Sequence, residues 1–159
     1  GNMLYGKKNG KGRTFYVNED MTYVGLYKND LKHGKGNLSS SDNLYLYDGE
    51  WKNDKLDGNA SYVSPDVGKY VGGFSKGLFE GSGFLIDKDK NVYQGNFHDG
   101  QKNGHGELSM LDGTKYIGEF KNNLYDGPGK LYDAKGNIIQ DGMFSFGIYV
   151  SLDKEKNKE

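Results

Sequence analysis

Apolar and polar positions alternate along this chain in short runs that break at regular places. In Tyr47-Asp48-Gly49-Glu50-Trp51, period 2 sets Tyr47, Gly49 and Trp51 on one side of an extended strand and Asp48 and Glu50 on the other. Each such run ends on a turn pair: Asn29-Asp30, Asn53-Asp54, Lys76-Gly77, Asp99-Gly100 or Asn122-Asn123. These residue types tolerate the positive φ of two-residue hairpin turns. A returning strand then reads Gly-x-Gly-x-Leu, as in Gly34, Gly36, Leu38 and in Gly104, Gly106, Leu108. Glycines there leave room for aromatic rings to lie flat across the backbone. Between runs sit turn-forming clusters such as "SSSDN" and "DAKG". A helical period is readable only in the charged tail, 152–159.

The alternation recurs. Gly25, Gly49, Gly72, Gly95, Gly118 and Gly142 follow one another at intervals of 24, 23, 23, 23 and 24 residues. The pattern predicts a partial repeat over 1–22, five tandem repeats over 23–139, a partial repeat or cap over 140–150 and a charged tail over 151–159. Fragments at both ends, and an opening Gly-Asn-Met that reads as a cloning scar, point to an excerpt from a longer array.

Composition says what must fill the core. Only 34% of the 159 residues are apolar, but 13 Tyr, 8 Phe and 1 Trp supply large rings, and 26 Gly supply places to seat them. No cysteine is present, which fits a reducing compartment and excludes disulfides and thiolate metal sites. No apolar run approaches the ~18 residues that cross a bilayer, so a soluble chain is expected, cytoplasmic and at the cytoskeleton or the inner face of a membrane. Charge is uneven: residues 1–36 carry seven basic against three acidic side chains, the remainder 14 against 19.

Catalytic readings fail on the residues. His33, His98 and His105 fall at hairpin turns or return strands without a paired nucleophile and acid. Lys8 stands where a phosphate loop needs Ser or Thr. "DKDKN" at Asp87 resembles a calcium loop, but Val92 replaces its glycine and His98 its bidentate Glu, so a turn with exposed carboxylates is expected. No catalytic residue, cofactor, metal or nucleic-acid partner is expected.

Tyr-x-Gly-x-(Trp/Phe), an Asn/Asp/Gly turn and (His/Asp/Asn)-Gly-x-Gly at this period resemble the MORN (membrane occupation and recognition nexus) repeat family over residues 6–147. The chain departs from the pattern where Ala60 matches Gly36, where Asp57, Glu80, Asn103 and Asp126 match His33, and where Gln140 replaces the Tyr. The resemblance implies an all-β fold: an elongated, twisted antiparallel sheet of stacked hairpins with an aromatic groove, acting as a scaffold for proteins or membranes. Larger members carry a separate catalytic domain, and nothing here looks like one.

Three function classes stay open. In the first, Tyr47, Trp51, Tyr70, Phe74, Tyr93, Phe97, Tyr116 and Phe120 line a groove that takes a helical or extended segment of a protein partner. The rival reading makes the same rings the core of the sheet. In the second, Lys7, Lys8, Lys11, Arg13, Lys32 and Lys35 contact an anionic membrane. In the third, the chain is the non-catalytic part of an enzyme. Two surfaces accompany these readings. Val24 and Leu26, with Leu44 and Leu46 approaching, form an apolar patch on the otherwise polar face. Met143, Phe144, Phe146 and Ile148 lie near an unpaired edge that invites a homodimer, unless "FGIYV" folds back as a cap.

Overall fold

The structure, a computed structural model, describes residues 1–151. The helical period of the tail lies outside them. β1 (Met3–Leu4) and β2 (Lys7–Lys8) form a small ribbon. β3 (Gly10–Tyr16), β4 (Met21–Lys28), β5 (Leu31–Ser40), β6 (Leu46–Lys52), β7 (Lys55–Ser64), β8 (Gly68–Ser75) and β9 (Leu78–Asp87) begin the main sheet. β10 (Val92–His98), β11 (Gln101–Ser109), β12 (Lys115–Lys121), β13 (Leu124–Tyr132), β14 (Ile138–Ser145) and β15 (Ile148–Ser151) complete it. All 13 strands pair antiparallel with their chain neighbours, so the sheet is an open row of hairpins with β3 and β15 at its edges. Among the described residues there is no helix.

Both central residues of each tip turn have positive φ, as at Asn53 (49°) and Asp54 (69°) or Asp99 (48°) and Gly100 (81°). That conformation matches the right-handed twist of the flanking strands. Each tip is also tied to the preceding hairpin. The N–H groups of Asp54, Gly77, Gly100 and Asn123 donate to the carbonyls of Lys32, Leu56, Phe79 and Lys102 at 2.8–3.0 Å. Carboxylates at the start of one return strand accept the N–H of the next tip: Asp57 from Lys76, Glu80 from Asp99, Asp126 from Phe146. At the opposite ends of the strands Asp87 and Asp133 cap the connecting turns, Asp87 Oδ1 accepting from Asp89 and Asn91. The "DKDKN" carboxylate is therefore engaged by its own turn.

Register slips once in every full hairpin. Gly95 pairs with Gly106 but Phe97 with Lys102, so residues 103–105 all face Asn96 alone. The extra residues form a bulge in which Gly104 takes φ +85°. The second glycine does another job. A Cβ on Gly106 would stand 2.4 Å from the Tyr93 hydroxyl oxygen and 2.5 Å from its Cε2, because the ring lies flat across that backbone. Gly36, Gly83 and Gly129 seat Tyr23, Tyr70 and Tyr116 in the same way. From the seat each hydroxyl donates to the carbonyl three residues on: Leu26, Gly73, Asn96 and Glu119, at 2.7–2.8 Å. Burial pushes the phenol pKa up to about 12 at Tyr23, Tyr70 and Tyr116, which keeps these donors protonated.

One unit breaks the row. Ala60 stands where the others have glycine, and its Cβ occupies the seat. Tyr47 turns aside, makes no such bond, and stacks on Tyr62 with centroids 4.6 Å apart and planes at 18°. It is the half-buried member of a row whose others are 0–1% exposed. The core is one layer of rings on one face of the sheet: each of the four seated Tyr meets the ring four residues on and the next unit's ring edge to face, as Tyr93 meets Phe97 at 5.0 Å and Phe120 at 5.2 Å.

Candidate functional site

Period 2 along each strand collects the rings on one face, and seven of the eight residues expected to line a groove are buried there. Trp51, Tyr70, Phe74, Tyr93, Phe97, Tyr116 and Phe120 are at most 6% exposed, and Tyr47 alone retains surface. They are the core, which corrects their placement as a free lining. A partner on this face meets a second rank. Nine residues after each Tyr comes a cover: Lys32, Leu56, Phe79, Lys102 and Tyr125. Phe79 stacks on Tyr70 at 3.8 Å and Tyr125 on Tyr116 at 3.8 Å. The ammonium groups of Lys32 and Lys102 instead lie 5.5 Å from the Tyr23 and Tyr93 ring centroids. Alignment of the repeats on their Tyr gives this position directly, yet the Gly-x-Gly-x-Leu pattern of the return strand begins two residues after it and leaves it out.

The accessible part of the aromatic face is centred on the unit that Ala60 disturbs. Tyr47, Tyr62 and Phe79 are half-buried there, and Tyr62 meets Phe79 edge to face at 5.8 Å. Tyr62, Gly77, Leu78, Phe79 and Gly100 line a cavity of about 200 Å³.

The other expected surfaces are rearranged. The six basic residues do not share one surface: Lys8 Nζ lies 5.3 Å from the Tyr27 ring centroid, and Lys32 is 12% exposed among rings beside Asp54. Lys11 and Arg13 pair across from Leu26 and Val24 on the opposite face, Lys35 is exposed across from Glu50, and Lys7 is exposed on the small ribbon. The patch of Val24, Leu26, Leu44 and Leu46 is not contiguous, because β5 runs between β4 and β6 and places Asn37 and Ser39 there. Leu26 packs toward Gly34, and Leu44 sits in the connecting turn. Apolar side chains do pair on that face, Leu46 with Val63 and Val71 with Phe84. At the C-terminal end "FGIYV" does fold back: β15 pairs with β14. Phe144 is core and Phe146 is a turn tip at φ 49°, while Ile148 is exposed on the edge strand and Met143 half-buried.

Glu80, His98 and Asp99 come close enough together to hold a cation, but their groups are engaged with one another. His98 Nδ1 is 2.9 Å from Glu80 Oε1, and the Asp99 N–H donates to Glu80 Oε2 at 2.9 Å. Glu80 thus repeats the tip-capping role of Asp57 and Asp126. The hydrogen bond to Glu80, then the charge of Asp99, raises the His98 pKa, and the Asp99 N–H with His98 holds the Glu80 carboxyl below its ordinary value.

A family model for the MORN repeat matches the chain six times, over residues 1–21, 23–45, 47–66, 70–92, 93–115 and 116–138. The chain belongs to the MORN-repeat family. No curated protein matches it by sequence. In this MORN array the Tyr-x-Gly-x-(Trp/Phe) signature encodes a ring and its edge-on neighbour, and the second glycine of the return strand encodes the seat. The signature describes the core. What distinguishes one repeat's surface from the next is the cover residue and the tip, which vary along the chain.

Proposed function

We propose that this MORN array is a non-enzymatic scaffold that binds a protein partner across its aromatic face. The observation that carries the reading is that a single open sheet leaves four rings, Tyr47, Tyr62, Phe79 and Tyr125, half-buried and uncovered by any other layer of the described chain. A sheet with one apolar face gains from a covering layer, and an amphipathic segment of another protein supplies one. The tip-to-tip hydrogen bonds hold the units in register, so the face is presented as a stiff surface whose docking costs little ordering entropy. Anionic-membrane binding is the rival, and it is weakened by the distribution of the basic residues over two faces.

The test is capture of partners by the wild-type chain and by Tyr47→Ser/Tyr62→Ser, beside flotation with neutral and with phosphatidylserine-containing vesicles. The reading expects partners lost in the double variant and no dependence on lipid charge. Retained partners, or binding to anionic vesicles alone, would sink it.

A further inference from the structure

Lys32 and Lys102 occupy the same position three repeats apart, and Lys32 Nζ lies over the rings of Tyr16, Tyr23 and Trp51 while Lys102 Nζ lies over that of Tyr93. Lys32 Nζ has a carboxylate, Asp54 Oδ1, at 3.8 Å. The residue corresponding to Asp54 beside Lys102 is Asn123. Both make the same backbone contact: Asp54 Oδ1 accepts the Lys32 N–H at 2.8 Å, and Asn123 Oδ1 the Lys102 N–H at 2.8 Å. The tip geometry is conserved between the units as well, with φ 69° at Asp54 and 70° at Asn123. So the shape is kept and the charge is missing. Among the described residues Lys102 has no carboxylate within salt-bridge distance, and its ammonium lies over the Tyr93 ring. Burial lowers its pKa, with Asp87 opposing, and Asp87 is engaged in its own turn. A partly desolvated cation with no carboxylate in contact gains more from one than an exposed lysine does.

The repeat before Lys102 holds the apolar cavity of Tyr62, Leu78 and Phe79, and Phe79 is the cover residue corresponding to Lys102. Cover positions in adjacent repeats are two strands apart, about 9.6 Å. On an α-helix, residues seven apart are separated by about 10.5 Å and share a face. On an extended strand, residues three apart span about 10 Å but point to opposite sides. The pitch therefore fits a helix laid across the strands.

We infer that Lys102 and the Tyr62–Phe79 cavity form one recognition site for an acidic amphipathic helix of a partner protein, an Asp or Glu carboxylate pairing with Lys102 Nζ and an apolar side chain seven residues away filling the cavity. The inference rests on the proposed binding role of the aromatic face and adds the chemistry of the partner.

The experiment is selection of a displayed library of helical peptides on the full chain, followed by affinity measurement of a synthesised consensus peptide. The consensus is expected to carry an acid and a Leu, Met or Phe seven apart. Its affinity should fall roughly tenfold on Lys102→Gln, as for loss of one charge-assisted hydrogen bond. Asn123→Asp should produce a similar fall without altering the melting temperature, by supplying Lys102 with the internal partner that Lys32 has. Nuclear magnetic resonance of the Lys102 side chain should then show its pKa rising from below the ordinary lysine value. Selected peptides without the acid, undiminished affinity for both variants, or a wild-type Lys102 pKa already above the ordinary value would each overturn the inference while leaving the binding face intact. If selection yields no peptide, or peptides indifferent to Tyr62→Ser, the proposed function fails with it. Vesicle binding that depends on Lys102 in the absence of any selected peptide would assign the cation to a membrane instead and overturn the proposal.

Discussion

Gly106→Ala should eject Tyr93 from its seat. The added Cβ would stand 2.4 Å from the hydroxyl oxygen and 2.5 Å from Cε2, distances that only movement of the ring relieves. Ala60 shows where the ring goes, since Tyr47 beside it has turned to stack on Tyr62. The substitution loses the hydrogen bond to Asn96, about 1 kcal/mol. Exposing part of a ring now 1% accessible removes about 1–2 kcal/mol more, and the edge contacts to Phe97 and Phe120 about 1 kcal/mol. Burial of the methyl group and the lower backbone entropy of Ala return about 1.5 kcal/mol. The net cost is about 2 kcal/mol, or roughly 4–8 °C in melting temperature for a chain of this size. Urea unfolding of a double-mutant cycle tests the mechanism. Tyr93→Phe should cost about 1 kcal/mol in the wild-type chain and almost nothing in Gly106→Ala, giving a coupling near 1 kcal/mol. Additive effects, with coupling below about 0.3 kcal/mol, would refute the link between seat and hydroxyl bond.

The converse change, Ala60→Gly, should admit Tyr47 to the flat seat and protect it from nitration by tetranitromethane, and an unchanged nitration rate would count against the blocking role of the methyl group. Trp51→Ala removes a buried ring whose Nε1 donates to the Gly36 carbonyl at 2.9 Å and should cost about 3–5 kcal/mol by denaturant unfolding; a loss under about 1 kcal/mol would mean the ring is not structural. His98 should titrate above its ordinary 6.5 and move down in Glu80→Gln, measured by nuclear magnetic resonance. Because the folded-state pKa is raised, the stabilisation from this pair is full below the unfolded His value and disappears as pH rises through the folded value. The lowered Glu80 pKa sets the acid limit, since its share is lost as pH falls through that value. The melting-temperature gap between wild type and His98→Gln should therefore close on going to alkaline pH, and a gap that widens would contradict the pairing.

The hairpins were legible because ring, turn and glycine recur at one period, and period 2 places Tyr93, Gly95 and Phe97 on a common face without reference to anything distant. Two features were not. The Gly-x-Gly-x-Leu pattern of the return strand starts at Gly104, two residues past Lys102, so the cover rank stayed hidden although Lys102 pairs with Phe97 on the ring face. The fate of the rings turned on glycine having two uses in one motif, a positive φ at Gly104 and a seat at Gly106, which the letters alone do not separate. The expected patch at Val24 and Leu46 failed for a topological reason: consecutive outgoing strands are next-nearest neighbours, with a return strand of polar residues between them. The missing counter-charge of Lys102 follows from the contact of Lys32 with Asp54, which residue spacing does not state.

The claim that partners dock on the aromatic face is tested most directly by site-specific photocrosslinking. A benzophenone amino acid replaces Leu78, 49% exposed at the rim of the aromatic-face cavity, or Phe84, 40% exposed on the opposite face. With a captured partner present, irradiation should give a crosslinked complex from position 78 and none from position 84. Crosslinking from 84 alone would move the binding surface to the other side of the sheet and contradict the account.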